Sequence, residues 1–353
     1  MKNETMNIGV VGCGFISDIY LRNMTGMFDN THVVACCDIS PEKAEQRAKQ
    51  YGIRNCTFEQ MLQDSKVEMV VVLTPAPVHY EVIKSALLAG KHVYTEKTLT
   101  IDLKQAQELL TLADERGLYL GAAPDTFLGA AWQKARELIE SGEIGEVTGF
   151  NICANRNLDR LTSFYRFLRM PGGGICYDYG VYYLTALVSL LGHVSSVAAV
   201  VENRKPTRID CNPESPEFGK AFPYHNEGQV SALLTTRNGV SGSFVLNGET
   251  IGQDQAVFAI HGTEGILKLT NPNLFGGQLY LIKQTDKGYE QLPVENDLPY
   301  SENSRGIGPS EMARAIFEGR PNAANKELAY HVLDVIESMM ESSKTRAFVK
   351  IES

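Results

Sequence analysis

The apolar run Ile8-Gly9-Val10-Val11 ends in Gly12-Cys13-Gly14-Phe15-Ile16-Ser17. Two glycines at this spacing, between a strand and a helix, let the backbone approach a diphosphate. The helix N-terminus then presents free N–H groups to its charge. Ser17 replaces the third glycine of the pattern and is small enough for close helix–strand packing. Gly12, Gly14, Phe15 and Ile16 are therefore the candidate diphosphate residues. A second apolar run, Val33-Val34-Ala35-Cys36-Cys37, ends at Asp38. A carboxylate at that place accepts hydrogen bonds from both ribose hydroxyls and repels a ribose phosphate, which favours NAD over NADP. Asp38 also suits the capping of a helix starting at Ser40-Pro41-Glu42.

Further polar groups stand at two later strand ends. Thr74-Pro75-Ala76-Pro77-Val78-His79 closes the third apolar run and Glu96-Lys97-Thr98 closes the fourth. Ligands of open α/β sheets lie outside the carboxyl ends of the strands. Lys97 accordingly projects into the cofactor crevice, with Thr74, Pro75, His79 and Glu96 around it. The alternatives are a surface lysine paired with Glu96, and a structural His79. Asp178 and Tyr182 are four apart on one helix face, with Asp178 near the positive end of the helix. They also suit a capping acid and an aromatic core residue. Arg156, Tyr165 and Arg166 lie in a polar, aromatic stretch that suits a sugar, and its arginines equally suit a phosphate or carboxylate. His225, in Pro223-Tyr224-His225-Asn226-Glu227, is placed to reach a substrate or to occupy a surface turn.

These groups need elements to hold them. Residues 7 to about 121 alternate strand and helix, with strands at Ile8–Val11, Val33–Asp38, Met69–Thr74, His92–Thr95 and Tyr119–Ala122. Continuous apolar runs such as Met69-Val70-Val71-Val72-Leu73 are the mark of buried parallel strands, so this part predicts a doubly wound Rossmann sheet. After Ala131 the pattern changes. A polar loop (155–170) and a glycine triplet (172–174) precede an apolar helix to Leu191. Strand then follows strand to about Lys283, predicting an α/β domain on a large, mostly antiparallel open sheet. Pro206 to Pro223 reads as a surface loop. The expected division is 1–124 for the NAD-binding domain and 125–353 for the substrate and oligomerisation domain, whose last helices can pack back on the first.

The chain has 353 residues, 43% of them hydrophobic, and a formal net charge of −9, which argues against nucleic acid or an anionic membrane as partner. Its apolar runs are too short for a signal peptide or a membrane span. Seven cysteines without zinc or redox spacing fit free thiols in a cytoplasmic protein, and no metal is expected.

Taken together, the glycine turn, the strand-end Glu96-Lys97 pair, the run GGGICYDYGVYYLTALVSLLG (172–192), and the closing segments SRGIGPSEMARAIFEGRP and ELAYHVLDVIESMMES resemble the glucose-fructose oxidoreductase / inositol dehydrogenase / rhizopine catabolism (Gfo/Idh/MocA) family over nearly the whole chain. The resemblance implies a catalytic lysine at Lys97 and places the family's Asp-x-Gly-x-His motif on Asp178, Gly180 and position 182. Two departures stand out. Thr98 replaces the proline after the lysine, and Tyr182 replaces the histidine, as in the glucose-fructose oxidoreductase and dihydrodiol dehydrogenase branches, where tyrosine is the acid/base. The implied reaction is NAD-dependent hydride transfer at a secondary alcohol of a sugar, cyclitol or glycoside. The hydroxyl proton passes to Tyr182, Lys97 stabilises the developing alkoxide, and Asp178 orients the lysine or a substrate hydroxyl. Two other readings are a redox-neutral epimerase or glycosidase that retains its NAD, and a non-catalytic dinucleotide sensor. The resemblance also implies a homodimer or homotetramer, in which a broad sheet's uncovered face is buried against another subunit.

Overall fold

The computed structural model describes residues 4–252, 256–286 and 288–353. The chain divides into two units. One comprises the chain up to Leu128 together with Asn303–Tyr330, and the other Gly129–Glu302 with His331–Ser353. The expected boundary at 124/125 thus differs by a few residues, and the segment 303–330 joins the first unit.

In the first unit, strands β1 (Met6–Val11), β2 (Thr31–Cys37), β3 (Arg54–Asn55), β4 (Met69–Val72), β5 (His92–Thr95) and β6 (Leu120–Ala122) form one parallel sheet in the order β3-β2-β1-β4-β5-β6. Helices α1 (Ser17–Gly26), α2 (Pro41–Tyr51), α3 (Phe58–Gln63), α4 (His79–Leu88) and α5 (Leu103–Arg116) connect them. All four residues of β4 are buried, as its unbroken apolar run requires. Helices α2 and α5 stop at Gly52 and Gly117, both left-handed, where a glycine carries no Cβ penalty. The sixth strand, β3, escaped the sequence reading because it is two exposed residues with no apolar run. The strand order reverses at β1, flanked by β2 and β4, and ligands of such sheets bind at that switch point.

The segment 303–330 is tied in by side chains. Asn23 donates to the Asn303 and Arg305 carbonyls, both at 2.8 Å. Asp125 accepts from the Gly308 amide at 3.0 Å, at the start of helix Ile307–Glu318. Ala122 N–H in β6 donates to the Ala324 carbonyl at 3.1 Å. Burial pushes the Asp125 carboxyl up to about 6.

The second unit is built on strands β7 (Val147–Asn155), β8 (Val194–Glu202), β9 (Thr207–Ile209), β10 (Ala221–Pro223), β11 (Gln229–Thr236), β12 (Ser241–Asn247), β13 (Val257–Gly262), β14 (Ile266–Lys268), β15 (Tyr280–Thr285), β16 (Gly288–Pro293) and β17 (Val349–Lys350). Nine of them form a sheet in the order β16-β15-β14-β13-β7-β12-β11-β8-β17, antiparallel except for the β7–β12 pair. Helices α6 (Ala130–Glu140), α7 (Leu158–Phe164) and α8 (Val181–Leu191) belong to this unit. Phe150, Ile152, Phe244, Leu246 and Phe258 are buried on the sheet's inner face, where the Phe258 ring lies 5.8 Å from that of Trp132 (α6) and 5.9 Å from that of Tyr183 (α8). The alternate positions Val200, Leu233 and Val257 are exposed. The stretch 206–223 is not irregular throughout: β9 and β10 pair across it. There the fully buried Arg208 guanidinium meets Asp159 at 2.6 Å and Glu249 at 3.4 Å. Among the described residues, no helix is long and apolar enough to cross a membrane.

Candidate active site

The glycine turn leaves β1 at the switch point. Gly12 has φ +101°, and a Cβ on it would lie 2.8 Å from the Leu73 carbonyl group. Only glycine fits there. At Gly14 a Cβ would meet no protein atom within 4 Å, so the fold itself leaves that position open. Ser17 is fully buried and donates to the Gly14 carbonyl at 2.6 Å, which closes the turn against α1. Asp38 accepts from Cys13 N–H at 2.7 Å and from Ser40 N–H at 2.8 Å, so the end of β2 holds the glycine turn. Phe15 and Ile39 project from the two loops, both largely exposed. Ile16 precedes α1 and caps it with no side chain.

At the ends of β4 and β5, His79 is completely buried. Its Nδ1 lies 2.7 Å from the Thr98 carbonyl and its Nε2 2.8 Å from the Thr74 carbonyl. Burial holds the ring below the usual imidazole range, opposed by those two contacts. The sequence left His79 open between a cofactor neighbour and a structural residue. In the structure both ring nitrogens are engaged, and the residue ties the two strand-end loops together. Glu96 is likewise occupied: it accepts from the Tyr20 hydroxyl at 2.8 Å and from Lys97 N–H at 3.0 Å. It orients the Lys97 main chain, and Lys97 itself is half-buried. The Lys97–Thr98 peptide is cis although no proline is present. Thr74 Oγ1 is buried, and no protein group bonds it. A buried hydroxyl beside Gly12, an open Gly14 and a carboxylate at the end of β2 fit a dinucleotide.

In the second unit the helix bearing Asp178 and Tyr182 opens with a π-turn, Cys176–Gly180, which runs directly into α8. The Val181 amide bonds back to the Cys176 carbonyl, five residues away. Such turns recur at functional sites. Asp178 is half-buried and Tyr182 is 8% exposed. Gly180 lets the turn settle on the sheet, since a Cβ there would lie 3.1 Å from Leu246 and 3.4 Å from Phe244. Arg156, just past β7, stacks its guanidinium 4.2 Å from the centre of the Tyr179 ring, and its buried Nε has no partner.

The other candidate substrate residues are more exposed. Tyr165 lies against Phe167, with ring centres 6.3 Å apart. Arg166 donates to Ser215 at 2.9 Å and pairs with Glu217 at 3.3 Å. His225 is exposed. Two functional-looking residues were not singled out from the sequence. Arg208 lay within an apparent loop. Glu227, whose carboxylate meets the π-turn, carries no local signature.

Comparisons with known proteins bear on the family and the fold. The model of the oxidoreductase family with an NAD-binding Rossmann fold matches residues 6–123, and the GFO/IDH/MocA C-terminal domain matches 132–268. The chain is 24% identical over 356 residues to scyllo-inositol 2-dehydrogenase (NADP(+)) IolW of Bacillus subtilis, covering 99% of this chain and 97% of that one. It is 33% identical over 149 residues to inositol 2-dehydrogenase/D-chiro-inositol 3-dehydrogenase of Lactiplantibacillus plantarum, covering 39% and 41% of the two chains. Levoglucosan dehydrogenase in complex with NADH superposes with a TM-score of 0.85 at 21% identity, over 99% of this chain and all of that one. The chain belongs to the Gfo/Idh/MocA family and is an NAD-binding oxidoreductase.

Proposed function

We propose that this enzyme transfers hydride between NAD and a secondary alcohol of a sugar, cyclitol or glycoside. The observation that carries the reading is the pair of prepared proton-handling sites, one on each unit. Glu96 holds the main chain of Lys97 at the end of β5, and the π-turn sets Asp178 ahead of Tyr182. Gly12, Gly14, Asp38 and Thr74 hold the cofactor, which when bound accepts or supplies the hydride. Tyr182 takes the hydroxyl proton, Lys97 stabilises the alkoxide as it forms, and Asp178 orients the lysine or a neighbouring hydroxyl. A tyrosine at position 182 keeps a proton-transfer group where the family pattern has histidine.

Arg156, with its stacked guanidinium, is the substrate contact we favour from the second unit, with Tyr165, Arg166 and His225 as outer candidates. The Asp38 carboxylate favours NAD over NADP. We place the protein in the cytoplasm, in keeping with seven free thiols. We assign the exposed apolar positions Val200, Leu233 and Val257 to contact with a second copy, which sedimentation of the pure protein tests. The function is tested by a spectrophotometric screen of cyclitols, aldoses, glycosides and keto sugars against NAD(H) and NADP(H). Net NADH formation with a cyclic polyol is the expected result. NAD that copurifies, with substrate consumed and no net NADH, overturns it.

A further inference from the structure

Glu227 lies just ahead of β11, far along the chain from the π-turn, yet it builds that turn. Its Oε1 accepts the Cys176 N–H at 2.9 Å, and its main-chain oxygen accepts the Ile175 N–H at 3.1 Å. Gly174 passes so close that a Cβ there would come within 2.0 Å of Oε2 and 2.1 Å of Oε1. The carboxylate therefore fills the first turn of a helical run that continues from Cys176 to Leu191 and carries both Asp178 and Tyr182. Free amides at a helix start attract an anion, and here the chain supplies its own.

We propose that Glu227 is a positioning residue for the proton-transfer pair, fixing the turn that presents Asp178 and setting a second carboxylate beside it. The inference rests on the reading of Asp178 and Tyr182 as site residues. The ionisable groups around Glu227 are few. From the helix come Cys176, Tyr177 and Asp178, and the Tyr177 hydroxyl donates to Glu337 on helix Lys326–Thr345. From its own side comes Tyr224, whose hydroxyl donates to the Gly173 carbonyl at 3.0 Å and whose ring carries the Arg208 guanidinium at 4.3 Å. Burial pushes the Glu227 carboxyl up to about 7. The amide donors oppose that rise and the Asp178 charge adds to it. The charge next to Asp178 consequently changes across neutral pH.

Two substitutions separate geometry from charge. Glu227→Gln keeps an oxygen for the Cys176 amide but cannot ionise, whereas Glu227→Ala removes both. With a substrate from the screen, Glu227→Ala is expected to lower kcat roughly ten- to a hundredfold with NADH affinity unchanged. Glu227→Gln is expected to keep most of kcat but lose an inflection near pH 7 in kcat/KM. Two readouts need no substrate. Hydrogen exchange of amides 175–183 should quicken in Glu227→Ala and stay protected in Glu227→Gln. A 13C-carboxyl titration should show a midpoint near 7 that is absent in Glu227→Gln and lower in Asp178→Asn. Unchanged exchange in Glu227→Ala, or a Glu227 midpoint in the ordinary carboxyl range, overturns the proposal. If no polyol is turned over, the functional reading fails, and exchange and titration still decide the role of Glu227.

Discussion

Gly12 and Gly174 both bring backbone into a tight place, one in each unit, and they do so for different reasons. Gly12 is fixed locally: its φ is +101°, and the Leu73 carbonyl lies where a Cβ would go. Gly174 is not in the left-handed region. Its side-chain position is taken by the Glu227 carboxylate, brought in from just ahead of a distant strand, which a Cβ there would push off the Cys176 amide. The first unit thus shapes its candidate site by backbone rules that act over a few residues. The second shapes its own with side chains from distant parts of the chain, and in the same unit the buried Arg208 ties Asp159 to Glu249. Substitutions in the first unit should act mainly on cofactor binding, and those in the second on turnover or on stability.

The largest effect is expected at Tyr182. Tyr182→Phe removes the proton acceptor and should lower kcat about 10²–10⁴-fold, the usual range for a lost acid/base group, with NADH affinity unaltered. Retention of a tenth of wild-type kcat would remove Tyr182 from the reaction. Next comes Arg208→Met, which takes the buried guanidinium away from Glu249 and leaves Asp159 with Lys205 alone. Breaking a buried pair costs about 3–5 kcal/mol, and Asp159 is partly solvated and keeps Lys205, so a loss at or below the lower end of that range is expected in urea unfolding. An unchanged midpoint would show that the second unit does not depend on its polar network.

This contrast explains what could be read from the sequence. The doubly wound sheet and the glycine turn at its switch point were legible because apolar runs, glycines and strand ends are local signals. The antiparallel sheet was legible from its succession of strands, and the two family models support both domains. His79 could be read as a cofactor neighbour or as a structural residue, because a strand end suits both. Only the fold shows its ring closed between the Thr74 and Thr98 carbonyls. The π-turn could not be read, since an i+4 spacing does not distinguish it from an α-helix. Glu227 and Arg208 were invisible for the same reason as each other: their partners are remote in the chain.

The two fingerprint glycines sharpen the comparison within the first unit. Gly12→Ala forces an ordinary residue into a left-handed conformation, at about 1–2 kcal/mol, and adds a clash with Leu73. It should lower the unfolding midpoint and weaken NAD binding together. Gly14→Ala meets no protein atom, so it should weaken NAD binding, read by fluorescence titration, at unchanged stability. Equal destabilisation by both would mean that Gly14, too, is fixed by the fold.

The smallest effect, and the one most dependent on conditions, is at the C-terminal end. His331 is buried; its Nε2 accepts from Val194 N–H at 2.9 Å, its Nδ1 bonds Ser353 Oγ at 2.8 Å, and its ring stacks on His193 at 4.1 Å. Burial and the neighbouring His193 push it down to about 3. The unfolded chain binds the proton near pH 6.5 and the folded chain does not, so between those values the unfolded state holds more protons. Stability due to this group is therefore complete above pH 6.5 and falls on acidification, by at most about 1.4 kcal/mol per pH unit. Glu227 and Asp125, raised to about 7 and about 6, act in the opposite sense, because their folded carboxyls hold protons that the unfolded ones release. Replacing His331 by Gln, which keeps an acceptor for Val194 but cannot ionise, should remove the acid-destabilising term and expose the carboxyl term. The variant's melting temperature relative to wild type should then rise as the pH is lowered from 7 to 5. A difference that does not vary with pH would show that the ring is charged in the folded protein or that its burial is relieved by solvent.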